Sequence, residues 1–224
     1  MEIKPIAYIK TDFSEKFGIP RQSGRVPSVG RIVFEPEFRC EEAIRGIRDF
    51  SHLWLIFDFS KCHRDSFSPT VRPPRLGGNT RVGVFASRSP FRPNSLGLSS
   101  VRLLRVEKTE KEGDVLIVSG ADLLSGTPIY DIKPYLPFTD CHTDAVGGYA
   151  DDFKDYKLSV DFPKELFLKI EEEKRDTLIA VLEEDPRPSY QNDENRVYRF
   201  KFATFEIGFK VKDKTVFVIS VEKA

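Results

Sequence analysis

The amino-acid sequence predicts a mainly β protein: a barrel or sandwich of short strands followed by a small α+β unit. Three observations carry this. The first 150 residues hold short apolar or alternating runs separated by loops rich in Gly, Pro, Ser and Arg, the pattern of an all-β unit. Only one stretch, Pro163 to Glu184, sustains helical spacing. Three further alternating runs follow it.

The elements follow in order. Ile3 to Lys10 alternates through Ile3, Ile6, Tyr8 and Ile9, and Gly30 to Phe34 is a β-branched run. Glu41 to Ile47 is a short stretch with helical spacing. His52 to Phe59 (HLWLIFDF) is nearly all apolar, as a buried strand requires. Arg81 to Ala86, Leu98 to Val106 and Val115 to Ser119 add three strands, and Asp131 and Lys133 flank Ile132 on another. The loops Phe17 to Gly30 and Ser66 to Asn79 are long, and loops of that length in a compact unit usually carry function. In Pro163 to Glu184 the apolar positions Leu166, Ile170, Leu178, Ile179, Val181 and Leu182 alternate with charges. Pro163 suits a first helical turn, so this is an amphipathic helix, stopped by Asp185-Pro186-Arg187-Pro188. Val197 to Phe205, Glu206 to Val211 and Val216 to Val221 form a small meander, with Lys212-Asp213-Lys214 as its last turn. The polar stretch Ala150 to Asp161 is the expected boundary between a domain over 1–150 and one over 160–224.

The chain has 224 residues, 40% hydrophobic and 31% charged, a globular composition. No run approaches the ~18 apolar residues of a membrane helix, and the N-terminal MEIKPIAYIKTD lacks a secretory h-region. A cytoplasmic location is expected, and Cys40, Cys62 and Cys141, odd in number and far apart, fit a reducing compartment. Cys62-His63 and Cys141-His142 lack metal-ligand spacing, so no metal is expected. No G-x-G-x-x-G, phosphate-binding loop or G-x-S-x-G elbow is present. His52 is expected to be structural, hydrogen-bonded to a neighbouring loop.

The formal net charge is zero, but it is unevenly spread. Residues 61–105 carry nine basic residues, eight of them Arg, against the single acid Asp65, whereas residues 106–224 carry 17 basic and 25 acidic residues. Arginine suits phosphate forks and base stacking, so the central surplus points to a polyanion. Within Val71 to Leu98, the run VGVFA leads directly into SRSPFRPN. Arg88 and Arg92 there flank Phe91 on a loop stiffened by Pro90 and Pro93, which suits an anionic ligand or a purine. In Ala121 to Phe138, Gly126-Thr127-Pro128 turns the chain and Tyr135, Pro137 and Phe138 make an apolar wall. Ile19 to Gly24 (IPRQSG) lies in the long N-terminal loop.

In this order, IPRQSG, FSHLWLIF, TVRPPRLGGNTRVGVFASRSPFRPNSLGLS and DLLSGTPIYDIKPYLPF resemble the TsaA-like family, whose best-understood members are the TrmO-type tRNA adenine-N6 methyltransferases. The resemblance is dense over residues 1 to about 148 and continues at Glu184 to Tyr190 (EDPRPSY) and in the closing strands. It implies a TsaA-like β-barrel acting as a homodimer, with S-adenosylmethionine as methyl donor. The implied product is N6-methylated threonylcarbamoyladenosine at position 37 of threonine tRNA. Cofactor contact is implied at Gln22, Ser23 and Gly24, at Ser60 and Lys61, at Arg88 and Leu98, and along Asp122, Leu123, Leu124, Ser125, Gly126 and Thr127. An acylated N6 must lose its proton, so a base would help. The sequence does not identify one. Asp131 is the first candidate and Asp122 the second, with Asp131 alternatively paired to an Arg of the central block. Arg72, Arg75, Arg92, Arg187 and Tyr190 remain to meet the tRNA, as phosphate-binding cations and a stacking ring. Two other readings stay open: a barrel that binds RNA or S-adenosylmethionine without catalysis, and a methyltransferase acting on another acceptor.

Overall fold

The strands of the first part of the chain are β1 (Ala7–Lys10), β2 (Val29–Phe34), β3 (His52–Asp58), β4 (Thr70–Val71), β5 (Val82–Gly83), β6 (Leu96–Thr109), β7 (Gly113–Ser119) and β8 (Thr127–Pro134). In the computed structural model, which describes residues 2–187 and 193–224, six of them close on themselves in the order β1-β2-β7-β6-β3-β8. Every neighbouring pair in this ring is antiparallel, and β8 returns to pair with β1. The chain is thus mainly β. Register follows side-chain alternation: Ile9, Ile32, Leu53, Leu55, Val101 and Leu116 point into one apolar cluster. One strand face is therefore buried, which fixes the pairing against a one-residue slip.

The rest of the described chain comprises α1 (Pro137–Asp140), β9 (Ser159–Asp161), α2 (Lys164–Phe167), α3 (Glu172–Glu183), β10 (Tyr198–Phe202), β11 (Phe205–Lys212) and β12 (Thr215–Lys223). The last three strands form the expected meander, and β9 adds to the free edge of β12 in parallel. Leu178 and Leu182 of α3 pack on Phe200, Ile207 and Phe209 in a second large apolar cluster.

Three sequence expectations change. The helix expected over Pro163 to Glu184 is two helices, α2 and α3, because the backbone leaves helical geometry at Glu171 (φ −56°, ψ 137°); the Arg175 guanidinium donates to the Ile170 carbonyl at 3.0 Å, in the place of an amide of a continuing helix. Arg81 to Ala86 is a strand only at β5, since its sole partner is the two-residue β4, and Val84–Ala86 coils into a 3-10 turn. The polar stretch before the helix contains β9, which is only three residues long and pairs with a strand more than fifty residues later.

The loop between β1 and β2 leaves the ring. Phe13 and Val26 are buried in the second cluster, and Phe17 and Ile19 pack against it. Fully burying one such phenylalanine is worth roughly 2–3 kcal/mol. Polar contacts fasten the same loop: the Ala203 amide donates to the Asp12 carbonyl at 2.8 Å, the Lys201 amide to Glu15 at 2.8 Å, and Thr177 to the Pro27 carbonyl at 3.2 Å. Gly18 has φ +94°, and a Cβ there would lie 2.4 Å from the Phe200 ring, so only glycine permits this approach.

A candidate cleft beside a cationic loop

β3 and β6 pair from His52↔Arg102 to Asp58↔Leu96. Their alternation buries Leu53, Leu55, Phe57, Gly97, Ser99 and Val101 and leaves Trp54, Leu96, Leu98 and Ser100 on the other face. Four loops rise around that face and enclose a cleft of about 1000 Å³: residues 19–23, 59–62, 87–92 and 122–124. This is the upper end of the range for ligand pockets. The floor depends on Gly97, because a Cβ there would sit 2.2 Å from the Phe57 ring that crosses it.

The walls are chemically divided. Leu98 (58% exposed) and Leu96 offer an apolar shelf. On one side, the Arg88 guanidinium donates to the Gln22 side-chain carbonyl at 2.6 Å. Behind it, Asp122 accepts from the Ser99 hydroxyl at 2.7 Å. Burial raises the Asp122 carboxyl above the usual carboxylate range, although Ser99, the Asp122 and Ser23 amides and the Arg88 charge pull the other way. At the far end the Trp54 indole N–H and the Leu136 amide both donate to Asp140 Oδ2 at 2.8 Å. The Leu136 amide, aided by Trp54, holds that carboxyl below its ordinary value. Asp58, nearly buried at the end of β3, meets His63 Nε2 at 2.7 Å.

The cleft gathers Gln22, Ser23, Ser60, Lys61, Arg88, Leu98, Asp122, Leu123, Leu124 and Thr127, together with Arg92. Gly24, Ser125 and Gly126 stand behind the wall, their amides donating to the carbonyls of Gly120, Phe13 and Ile9. Asp131 is not brought to the cleft. It lies half-exposed on β8, in an ion pair with Lys133 at 3.0 Å rather than with an Arg of the central block.

The arginines expected to meet tRNA divide similarly. Arg72 is exposed. Arg92 donates to the carbonyls of Val84 (3.1 Å) and Ser87 (2.8 Å), so part of its fork pins its own loop. Arg75 donates to the Glu184 carbonyl at 3.1 Å and stacks on Tyr156. Arg187 chelates Asp185 at 2.8 and 3.0 Å with its side chain only 11% exposed. These last two tie the chain together internally. Tyr190 lies outside the described residues.

His52 hydrogen-bonds Ser51, its sequence neighbour, at 2.9 Å and faces Tyr135 across the cleft rim, so the loop partner expected for it is not the one observed. Trp54, Asp58, Tyr135 and Asp140 line the cleft but were not singled out as site residues from the sequence. The signal for Asp58 was visible: one acid interrupts an otherwise apolar strand. Among the described residues there is no group of three or more His, Cys, Asp or Glu side chains that could hold a metal ion. Among them, too, no helix is long and apolar enough to cross a membrane.

A closed ring of strands with a divided cleft beside an arginine-rich loop is the layout of a protein that holds a small polar ligand next to a polyanion. The chain belongs to the TrmO family: residues 8–141 match the tRNA-methyltransferase O N-terminal domain and residues 155–224 the TrmO C-terminal domain. It is 38% identical to the tRNA (adenine(37)-N6)-methyltransferase of Escherichia coli (strain K12), over 99% of this chain and 97% of that one. It is 45% identical to the protein of the same name from Eikenella corrodens, over 73% of this chain and 92% of that one. A crystal structure of TrmO from P. aeruginosa superposes with a TM-score of 0.81 at 31% identity, covering 100% of this chain and 97% of that one.

Proposed function

We propose that this chain is an S-adenosylmethionine-dependent tRNA methyltransferase acting on N6 of the adenosine at position 37, in its threonylcarbamoyl form, in threonine tRNA. The observation that carries the reading is the likeness to the E. coli enzyme across almost the whole of both chains. The relatives' printed names supply adenine 37 and N6; the threonylcarbamoyl group and the threonine tRNA rest on the family resemblance.

The residues present fit the donor. Arg88 offers a guanidinium to a carboxylate, Leu96 and Leu98 an apolar shelf to a purine, and the wall from Asp122 to Leu124 a polar edge. When bound, S-adenosylmethionine supplies a methyl carbon made electrophilic by its sulfonium. The cleft walls would hold the acceptor nitrogen beside that carbon, and positioning alone can supply several kcal/mol. Asp122 takes the N6 proton. Burial has raised its affinity for a proton, which brings it closer to the working pH of a general base than an ordinary exposed carboxylate. Asp131, on an exposed surface beside Lys133, is left with a charge-pairing role.

The same reading assigns Arg72 and the outward side of Arg92 to tRNA phosphates. It treats residues 1–150 as a TsaA-like β-barrel domain and 160–224 as an α+β domain, a division supported by the two apolar clusters. Assembly as a homodimer rests on the family resemblance. A cytoplasmic location is supported by the free state of Cys40, Cys62 and Cys141.

The test is transfer of labelled methyl from S-adenosylmethionine to bulk tRNA, with the modified nucleoside identified by mass spectrometry. Methyl on threonylcarbamoyladenosine is expected. Cofactor binding with no labelled RNA, even with fully modified tRNA, would overturn the acceptor assignment.

A further inference from the structure

Two large rings stand out of the protein surface together. Phe85 is 74% exposed and Phe67 58% exposed, and their rings stack with centroids 6.5 Å apart and planes 26° from parallel. The pairing follows from the chain. β4 and β5 form an isolated two-stranded ribbon with Thr70 opposite Gly83, which brings the residues before β4 beside those after β5. Val84 turns inward and is buried, so Phe85 must face out. The loop that carries it is held still: the Val84 amide donates to Pro69, and Arg92 grips the Val84 and Ser87 carbonyls from the other side.

The surroundings of the rings are cationic. The Arg92 guanidinium lies 5.7 Å from the Phe85 ring, and Arg64 stacks on Phe91 at 3.6 Å. Arg81 is tethered to Thr70 on the same ribbon at 3.1 Å. Asp65 is the only acid between residues 61 and 105. A pair of exposed phenylalanines among neutral residues would suit a protein surface. Among arginines, on a rigid ribbon, they match a partner that presents flat π-faces and negative charge along one strand. Arg92, which lies 5.7 Å from the Phe85 ring, also lines the cleft and so links the two features.

We propose that Phe85 and Phe67 form a stacking platform for an unpaired nucleobase of the RNA substrate, next to the nucleotide that enters the cleft. The platform reads no base edge. It holds the single strand splayed, with the arginines taking its phosphates. This rests on the tRNA reading above, and the test separates the two.

Binding of labelled bulk tRNA to the full-length protein is measured at several salt concentrations for the wild type, Phe85→Ala, Phe85→Tyr and Arg81→Ala. S-adenosylmethionine affinity and molecular mass are followed in parallel. Retention of tRNA by the wild type is the check on the tRNA reading; if the wild type holds no tRNA, that reading fails and the platform fails with it. Given wild-type binding, Phe85→Ala is expected to weaken tRNA about 5- to 100-fold, the range for loss of one stacked base. Its salt dependence stays that of the wild type, because no phosphate contact is removed. Phe85→Tyr keeps the π-face and restores affinity, and Arg81→Ala lowers the salt slope by about one. Cofactor affinity is unchanged throughout, which excludes misfolding. Unchanged tRNA affinity in Phe85→Ala overturns the platform alone. A change of mass in that variant also overturns it and assigns the rings to a contact between protein subunits.

Discussion

The charge of Asp185 depends on its neighbours. Its side chain is 9% exposed and its carboxylate takes two bonds from Arg187, at 2.8 and 3.0 Å, and one from the Tyr156 hydroxyl at 3.0 Å. Arg21 closes the group by donating to the carbonyls of Asp185 and Arg187. Burial alone would raise the Asp185 carboxyl, but Arg187 and Tyr156 outweigh it and hold the group below the usual range. Asp185 also sits at φ +53°, a region that Asn adopts more readily than Ala, by roughly 1–2 kcal/mol. Asp185→Asn therefore removes the charge while keeping the backbone. It leaves the Arg187 guanidinium without its counter-charge, which costs about 3 kcal/mol, the lower end for a broken buried pair. Asp185→Ala should cost a further 1–2 kcal/mol or so through the backbone. The double change Asp185→Asn with Arg187→Met should recover part of the loss, since the stranded charge is gone. Urea denaturation at neutral pH reads all three, through the midpoint at constant slope. The pH dependence has a definite sign. With a lowered folded-state pKa, the pair's contribution is present above the unfolded value of about 4 and is lost as pH falls through the folded one. Asp185→Asn within 1 kcal/mol or so of wild type at pH 7 would refute the argument that this pair is a closed, charge-dependent unit.

Four positions in and around the cleft give further outcomes. Asp122→Asn should make the fold more stable at neutral pH, because a raised carboxyl favours the folded state below its unfolded pKa and that advantage is lost as pH rises through the folded value. The same variant should abolish methyl transfer while S-adenosylmethionine still binds by calorimetry. Asp131→Asn should keep turnover and change stability by less than about 1 kcal/mol, as an exposed ion pair does. Arg88→Ala should weaken the cofactor about 10- to 100-fold by titration, the loss of a charge-assisted contact. Gly97→Ala should lower the denaturation midpoint by the equivalent of roughly 1–3 kcal/mol, and Phe57→Leu in the same chain should restore part of it, because the added methyl has no room beside the ring.

The ring strands are legible because each is a short run that is apolar, β-branched or alternating within itself. Ile9, Leu53, Leu55, Val101 and Leu116 announce a buried face without reference to any partner. Of the cleft residues, Leu98 and the turn from Asp122 are implied by the family resemblance, and Arg88 also by its place beside Phe91 on a stiffened loop. Contacts between distant segments were not. Trp54 and Asp140 are 86 positions apart, and neither strand nor turn chemistry links them. Asp131 is a different case. An acid on a motif strand invites a chemical role, and the register does set it opposite Ile56, on the sheet face that carries Trp54 and Leu98, but it pairs there with Lys133 and does not line the cleft. The segment Phe17 to Gly30 reads as a long loop, and together with the residues before it, it carries more than a loop needs. Its four large apolar residues, Phe13, Phe17, Ile19 and Val26, were the sign that something must cover it.

That loop has a consequence for how the chain is made. The ring of strands is complete in sequence at Pro134, whereas the cover for Phe13 and Val26 is finished only by residues up to Val221. At about 5–20 residues per second, synthesis leaves roughly 5–20 s in which the early segment has closed its own sheet but still shows bare phenylalanines to the cell.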